Sequence, residues 1–296
     1  MRYDEVLIPT DGSESAERAA RYGQVLAEAY GASVHVLSVV DERDFDGVVD
    51  GDEADAGKTA AERTAQDAVE RVAALFDGDV TTRVTVGIPS EEILAYVSET
   101  AIDLVAMGTH GRTGVERFLI GSVAERVVRH ASVPVLTVRL SEAVSPWPPL
   151  EHILVPTDGS DASFQALPYA FDLADRFDAL VEGLSIVDER TKASVYTVET
   201  ALEEMVGGLE AMAETATERI EARAKAADVE VTTTVVDGIP SRTICAHAGE
   251  SGADLVVIAS HGRTGLSHYL LGSVAERVVR NSTVPVLTVP ADVDSE

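Results

Sequence analysis

Two tandem, doubly wound α/β domains are what the 296-residue sequence predicts, and three observations predict them. Short apolar runs alternate with segments of helical spacing, the pattern of a mainly parallel sheet with helices on both faces. The whole pattern then occurs a second time. A proline-rich segment stands between the two copies.

In copy one, residues 6–9 form a short apolar run closed by a turn signal. Residues 13–30 carry Ala16, Ala19, Ala20, Val25 and Leu26 at helical spacing. Residues 33–40 read as a strand, 59–76 as an amphipathic helix and 80–86 as an alternating strand. Residues 90–100 read as a helix capped by Ser90. A buried strand at 104–107, a helix at 122–130 and a last strand at 133–138 complete the copy.

Val6-Leu7-Ile8-Pro9-Thr10-Asp11-Gly12-Ser13 returns as Ile153-Leu154-Val155-Pro156-Thr157-Asp158-Gly159-Ser160. Gly87-Ile88-Pro89-Ser90 returns as Gly238-Ile239-Pro240-Ser241, four residues later than the first offset requires. The extra residues therefore belong to the helical segment around 191–227. Residues 103–138 and 254–289 share 24 of 36 identities. Between the copies lies Pro146-Trp147-Pro148-Pro149, which forbids a continuous helix or central strand. The expected domains are 1–140 and 151–291, joined by a stiff linker at 141–150.

Composition narrows the function classes. Fifty-one acidic residues face 23 basic ones, a formal net charge of −28, and only Lys58, Lys192 and Lys225 are lysines. Such a surface repels itself in dilute buffer and is better tolerated where salt screens it, so a halophilic, salt-accumulating cytoplasm is the expected setting. Nucleic acids and anionic membranes are poor partners for it. No apolar stretch approaches a membrane span, and the N-terminal residues show no basic region followed by an apolar one, so neither membrane nor secretion is expected. The one cysteine, Cys245, fits a reducing cytoplasm and a buried structural role.

In open α/β sheets ligands bind beyond the carboxyl ends of the strands, where strand order reverses. There copy one reads Met107-Gly108-Thr109-His110-Gly111, then nine residues, then Gly121-Ser122 opening a helix. Glycines let the backbone approach closely. The amides of Gly121, Ser122 and Val123, with the helix dipole, form an expected anion site suited to a polyphosphate. Ser122 offers a hydroxyl for either a cap or a phosphate.

Gly108, Gly111, Gly121 and Ser122 in this spacing, with Pro9-Thr10-Asp11 after the first strand, resemble the universal stress protein family and its ATP-binding branch. The resemblance covers almost the whole chain as a tandem pair. It implies five-stranded sheets of order 3-2-1-4-5 and a non-enzymatic adenine-nucleotide binder in stress response. It implies adenine near Asp11 and Val39, ribose near Pro9 and Gly108, and phosphates over Gly111, Gly121, Ser122 and Val123. Thr10, Met107, His110 and Arg112 complete that site. Pro156, Thr157, Asp158, Ile186, Ala259, Gly262, Gly272, Ser273 and Val274 are its counterparts in copy two. The expected cofactor is ATP, ADP or AMP, with Mg²⁺ as an accompanying ion. Pairing of the last strands of the two copies would make an internal pseudo-dimer, with a further homodimer as an option.

Copy two departs at Ala259, where copy one has Gly108. If Gly108 serves positive φ or ribose contact, the methyl weakens the second site. Arg112 and Arg263 either neutralise phosphate or form solvated ion pairs, and His110 and His261 either touch phosphate or order their loops. Arg126 and Arg277 are expected to pair with acidic neighbours, while Asp41-Glu42-Arg43 and Asp188-Glu189-Arg190 are weak candidates for steering Mg²⁺. No catalytic residue or metal ligand set is expected, and the usual lysine-bearing phosphate loop and dinucleotide fingerprint are missing. Two alternatives stay open: a slow ATPase or self-phosphorylating protein using Ser122, and a nucleotide-free scaffold acting through protein partners.

Overall fold

The computed structural model describes residues 3–45, 52–111, 120–140, 150–195, 202–262 and 271–290. The chain forms two compact units, Arg2–Trp147 and Pro148–Glu296. Most of the proline-rich segment, 141–149, lies outside the described residues.

The first unit runs β1 (Glu5–Pro9), α1 (Glu14–Tyr30), β2 (Ser33–Asp41), α2 (Asp52–Ala73), β3 (Val80–Gly87), α3 (Pro89–Glu99), β4 (Leu104–Gly108), α4 (Ser122–His130) and β5 (Val135–Val138). A 3-10 turn, Glu42–Asp44, follows β2. The strands lie in the order β3-β2-β1-β4-β5 with parallel pairing, which places the order reversal between β1 and β4.

The second unit repeats the plan with β6 (His152–Thr157), α5 (Asp161–Phe164), α6 (Leu167–Phe177), β7 (Leu180–Asp188), α7 (Glu189–Val195), α8 (Leu202–Ala227), β8 (Val231–Gly238), α9 (Pro240–Glu250), β9 (Leu255–Ala259), α10 (Ser273–Asn281) and β10 (Val286–Val289). Its strand order is β8-β7-β6-β9-β10. The expected fold class and strand order are both present. α8 has 26 residues against 22 in α2, which absorbs the four extra residues where the repeat offsets placed them.

Local chemistry accounts for the element boundaries. Ser13 caps α1 by accepting from the Ala16 amide at 3.3 Å, and Gly31, at φ 67°, ends the helix in the left-handed region. The buried stripe Ala16, Ala19, Ala20, Gly23, Leu26, Ala27, Tyr30 follows the three-to-four spacing of a helix face. A side chain at Gly23 would press within 3.0 Å of Ile8 Cδ1 and 3.1 Å of Ala106 Cβ, so α1 lies close against β1 and β4.

Two expectations need correction. Ser90 does not cap α3: the helix starts one residue earlier at Pro89, Ile88 holds the cap position, and no side chain caps it. Proline suits the first helical position, because its φ is already helical and its missing N–H has no partner to lose. In copy two the first helix is broken into α5 and α6. Pro168 stands where copy one has Arg21; inside a continuous helix it would lack the N–H that Phe164 needs and crowd that carbonyl.

At the amino ends of the strands, opposite the glycine loops, each unit holds a polar cluster. In the first, His35 bonds Glu5 Oε2 at 2.7 Å through Nε2 and the Tyr96 hydroxyl at 2.8 Å through Nδ1. Arg83 lies over the Tyr96 ring, 5.5 Å from its centroid. In the second, buried Glu182 accepts from His247 Nε2 at 2.7 Å and Thr234 Oγ1 at 3.0 Å, and stands 3.1 Å from His152 Nε2. Burial pushes the Glu182 carboxyl up, but the bonds from His247 and Thr234 and the charges of both histidines outweigh it and hold the group below the usual carboxylate range.

A folded-state value below the unfolded one means stability that is present above the ordinary glutamate range and is lost as pH falls through the folded value. Glu182→Gln should therefore flatten the acid side of the second unit's stability profile, below about pH 4.5. Urea unfolding monitored across pH 3–7 measures this, and an unchanged acid slope would contradict the assignment.

Candidate functional site

The crevice beyond β1 and β4 gathers the loops on which the sequence placed the site. After Pro9, the Thr10 amide donates to the Leu37 carbonyl at 2.8 Å, extending the β1–β2 ladder. Gly12 then turns at φ 77°, a conformation that suits glycine, and Ser13 opens α1. Within the turn Asp11 Oδ1 accepts from the Ser13 amide at 3.0 Å and Thr10 Oγ1 from the Gly12 amide at 3.1 Å. This is the Asx and Thr turn chemistry expected of such residues.

The glycine loop comes down onto this turn. The Ser13 hydroxyl donates to the His110 carbonyl at 3.4 Å while accepting from Ala16. A methyl on Gly111 would stand 2.7 Å from Asp11 Oδ2, so the Asp11 carboxylate lies against the bare backbone of Gly111. Asp11, Ser13, His110 and Gly111 are thus brought together. His110 Nδ1 bonds Thr109 Oγ1 at 2.8 Å and His261 Nδ1 bonds Ser260 Oγ at 2.9 Å, which orders each loop locally. Val39 and Ile186 stand near the carboxyl ends of β2 and β7, partly exposed.

Helix α4 begins with Gly121 at the cap position and Ser122 as its first residue; no side chain caps it. The Gly121 amide is not open. It donates to the Thr109 carbonyl at 2.7 Å, and Gly272 does the same to Ser260 at 2.7 Å. This corrects the expected amide trio by one residue. The first bond made inside the helix is Glu125 N–H to the Gly121 carbonyl at 2.9 Å. Among the described residues nothing accepts from the amides of Ser122, Val123 and Ala124, and the same holds for Ser273, Val274 and Ala275. Three parallel donors at the positive end of a helix dipole are an anion receptor.

Of the two reasons weighed for Gly108, a positive φ is excluded, and the structure adds a further one. Gly108 is absent from the positive-φ glycines. A methyl there would lie 2.5 Å from Ser15 Oγ, 2.8 Å from the Ser15 carbonyl carbon and 2.9 Å from the Ala16 nitrogen. Close packing of β4 on the first turn of α1 therefore leaves no room for a side chain there. In copy two α5, detached from α6, packs over β9, and Ala259 is buried there. The second site differs in another way. Ser160 donates to Asp158 Oδ1 at 2.5 Å, whereas its counterpart Ser13 bonds across to the glycine loop.

Other candidates resolve into ion pairs. Arg43 holds both oxygens of Asp41 at 2.8 and 2.5 Å, and Arg190 both oxygens of Asp188 at 3.0 and 2.6 Å. These bonds lower both carboxyls, so neither aspartate is left open to steer Mg²⁺. Arg126 lies 3.3 Å from Glu91, as expected of a solvated pair. Arg112 and Arg263 lie outside the described residues. Among those described, no group of three His, Cys, Asp or Glu could hold a metal, and no helix is long and apolar enough to cross a membrane.

The family model for the universal stress proteins matches residues 2–139 and again 149–290. A universal stress protein of Mycobacterium bovis is 30% identical over 293 residues, covering 95% of each chain. One from Methanocaldococcus jannaschii is 34% identical over 140 residues, 46% of this chain and 82% of its own. Among solved structures, a universal stress protein from Archaeoglobus fulgidus aligns over 99% of this chain and 98% of its own with a TM-score of 0.69 at 23% identity.

Gly108→Ala should destabilise the first unit by about 1–3 kcal/mol through the clash with α1. Ala259→Gly should cost the second unit less than about 1 kcal/mol. Urea unfolding of the two variants measures both, and equal costs would refute the packing account.

Proposed function

Because the chain belongs to the universal stress protein family, we propose that it binds adenine nucleotides, ATP foremost, as a non-enzymatic component of a stress response. One observation carries the reading: among the described residues nothing accepts from the three amides at the start of α4, and the Gly121 before them is bonded to Thr109 just past β4. Residues of the described structure fit a polyphosphate there. Ser122, Val123 and Ala124 donate to phosphate oxygens, and Gly111 brings bare backbone alongside. Asp11 and Val39 receive the adenine end, Pro9 and Gly108 the ribose. ATP, ADP and AMP share the latter contacts, and the amides favour the forms with more phosphate charge. A Mg²⁺ ion would enter with the phosphates, held by them and by water.

The same arrangement supports a second, less favourable site in the other unit, formed by Asp158, Ile186, Gly262, Ser273 and Val274. Its turn and glycine loop lack the Ser13-type clasp, because Ser160 bonds within its own turn. A site whose turn and loop are not joined by such a bond is less preorganised for its ligand and binds it more weakly. One observation favours a catalytic alternative: the exposed Ser122 hydroxyl makes no cap bond. Covalent phosphate on Ser122 after incubation with labelled ATP would replace the binding-only reading.

Proline at the first helical position removes one donor while sparing the helix. Gly121, at φ −63° and ψ 144°, already has the backbone that a following proline requires. Ser122→Pro should therefore weaken ATP binding at the first site by about tenfold or more, since hydrogen bonds to charged groups contribute about 1.5–3 kcal/mol. Ser273→Pro should do the same at the second. Isothermal titration of each variant with ATP and AMP tests this. Undiminished ATP affinity in Ser122→Pro would overturn the proposed phosphate site.

A further inference from the structure

The two polar clusters at the amino ends of the strands occupy equivalent positions of the repeat, yet every member is exchanged. Glu5 corresponds to His152, His35 to Glu182, Tyr96 to His247 and Arg83 to Thr234. Each unit keeps one carboxylate beside one histidine across its two adjacent strands, hydrogen-bonded in Glu5–His35 at 2.7 Å and within ion-pair distance in His152–Glu182 at 3.1 Å, but in opposite order. The hydrophobic positions around them are nearly interchangeable. Val6-Leu7-Ile8 pairs with β2 in the same register as Ile153-Leu154-Val155 with β7, although Val36 opposite Ile8 is replaced by Gly183 opposite Val155, and all six side chains are buried.

Two folding units of the same plan on one chain face a hazard: the first strand of one can dock beside the second strand of the other, within a molecule or between molecules. Apolar packing alone discriminates poorly against such hybrids. We infer that the inverted pairs Glu5–His35 and His152–Glu182 form a pairing code that steers each first strand to the second strand of its own repeat. In a hybrid, Glu5 would meet Glu182 at a buried position and His35 would meet His152. Two carboxylates forced together cannot both stay ionised at little cost, and the Glu5–His35 hydrogen bond and the His152–Glu182 ion pair are lost.

The consequence is tested with the full chain by exchanging the polarity of one copy or both. Glu5→His with His35→Glu keeps a pair inside copy one but makes hybrids as well matched as native pairings. His152→Glu with Glu182→His does the same from copy two. All four substitutions together restore opposite polarity. After dilution from urea, size-exclusion chromatography measures the fraction that elutes away from never-unfolded protein of the same sequence, and amide exchange in β1 and β6 confirms native pairing in the recovered peak. A like-charge penalty of about one pKa unit is a tenfold bias. Either single-copy exchange should therefore raise the misassembled fraction by about tenfold, and the fourfold variant should return it to the wild-type level. Should an exchanged variant not fold, Glu5→Gln with Glu182→Gln serves instead, because it removes the carboxylate clash and keeps amide partners for the histidines. Misassembly that is unchanged by single-copy exchange, or that is additive in the fourfold variant, would overturn the proposal, as would an unchanged level in the glutamine pair.

Discussion

A helix has no carbonyl behind its first turn, so its leading amides must find a partner outside it. In α4 the usual solutions are absent: the cap position is glycine, and the serine that follows is already inside the helix. Gly121 N–H bonds the Thr109 carbonyl just past β4, and among the described residues the next three amides have no acceptor. The rest of the site is arranged around that vacancy of acceptors. β4 ends against α1 because Gly108 carries no side chain, α1 starts at Ser13, and Ser13 reaches the loop that leads to Gly121.

The tandem repeat holds the same receptor twice but supports it differently. In the first unit one serine hydroxyl links the turn after β1 to the glycine loop; in the second the equivalent hydroxyl stays within its own turn. Pro168 adds to the difference by dividing the helix that follows. Arg219 reaches the turn from α8, donating to the Gly159 carbonyl at 2.8 Å and to Asp161 at 2.5 Å, and stacks on Phe164. Copy one has a longer version of this reach, from Arg71 of α2 to the Gly12 carbonyl at 3.5 Å, so the serine bond to the glycine loop is what separates the copies.

Much of this was legible from residue order. Strand and helix alternation, the repeat offsets and the spacing of Gly108, Gly111 and Gly121 led to the fold class and the position of the crevice, while the strand order came from the resemblance to the universal stress proteins. What escaped depends on which donor meets which acceptor in space. Nothing local indicates that Gly121 bonds Thr109, shifting the open amides to end at Ala124, or that Gly108 is required by Ser15 ninety-three residues earlier. Two misses did leave signals. Pro89 announces a helix start ahead of Ser90, and Pro168 inside an otherwise helical pattern announces a break. The inverted clusters around His35 and Glu182 were also visible once the copies were aligned, but only the structure shows that their members touch.

The central claim is that phosphate is received by the amides at the start of α4. The most direct measurement is a titration of the ¹⁵N-labelled full chain with ATP, following individual backbone amide resonances. The account predicts saturable, downfield shifts at Ser122, Val123 and Ala124, with Gly121 moving little because its proton already has an acceptor. Saturable binding that leaves those three resonances in place would contradict it.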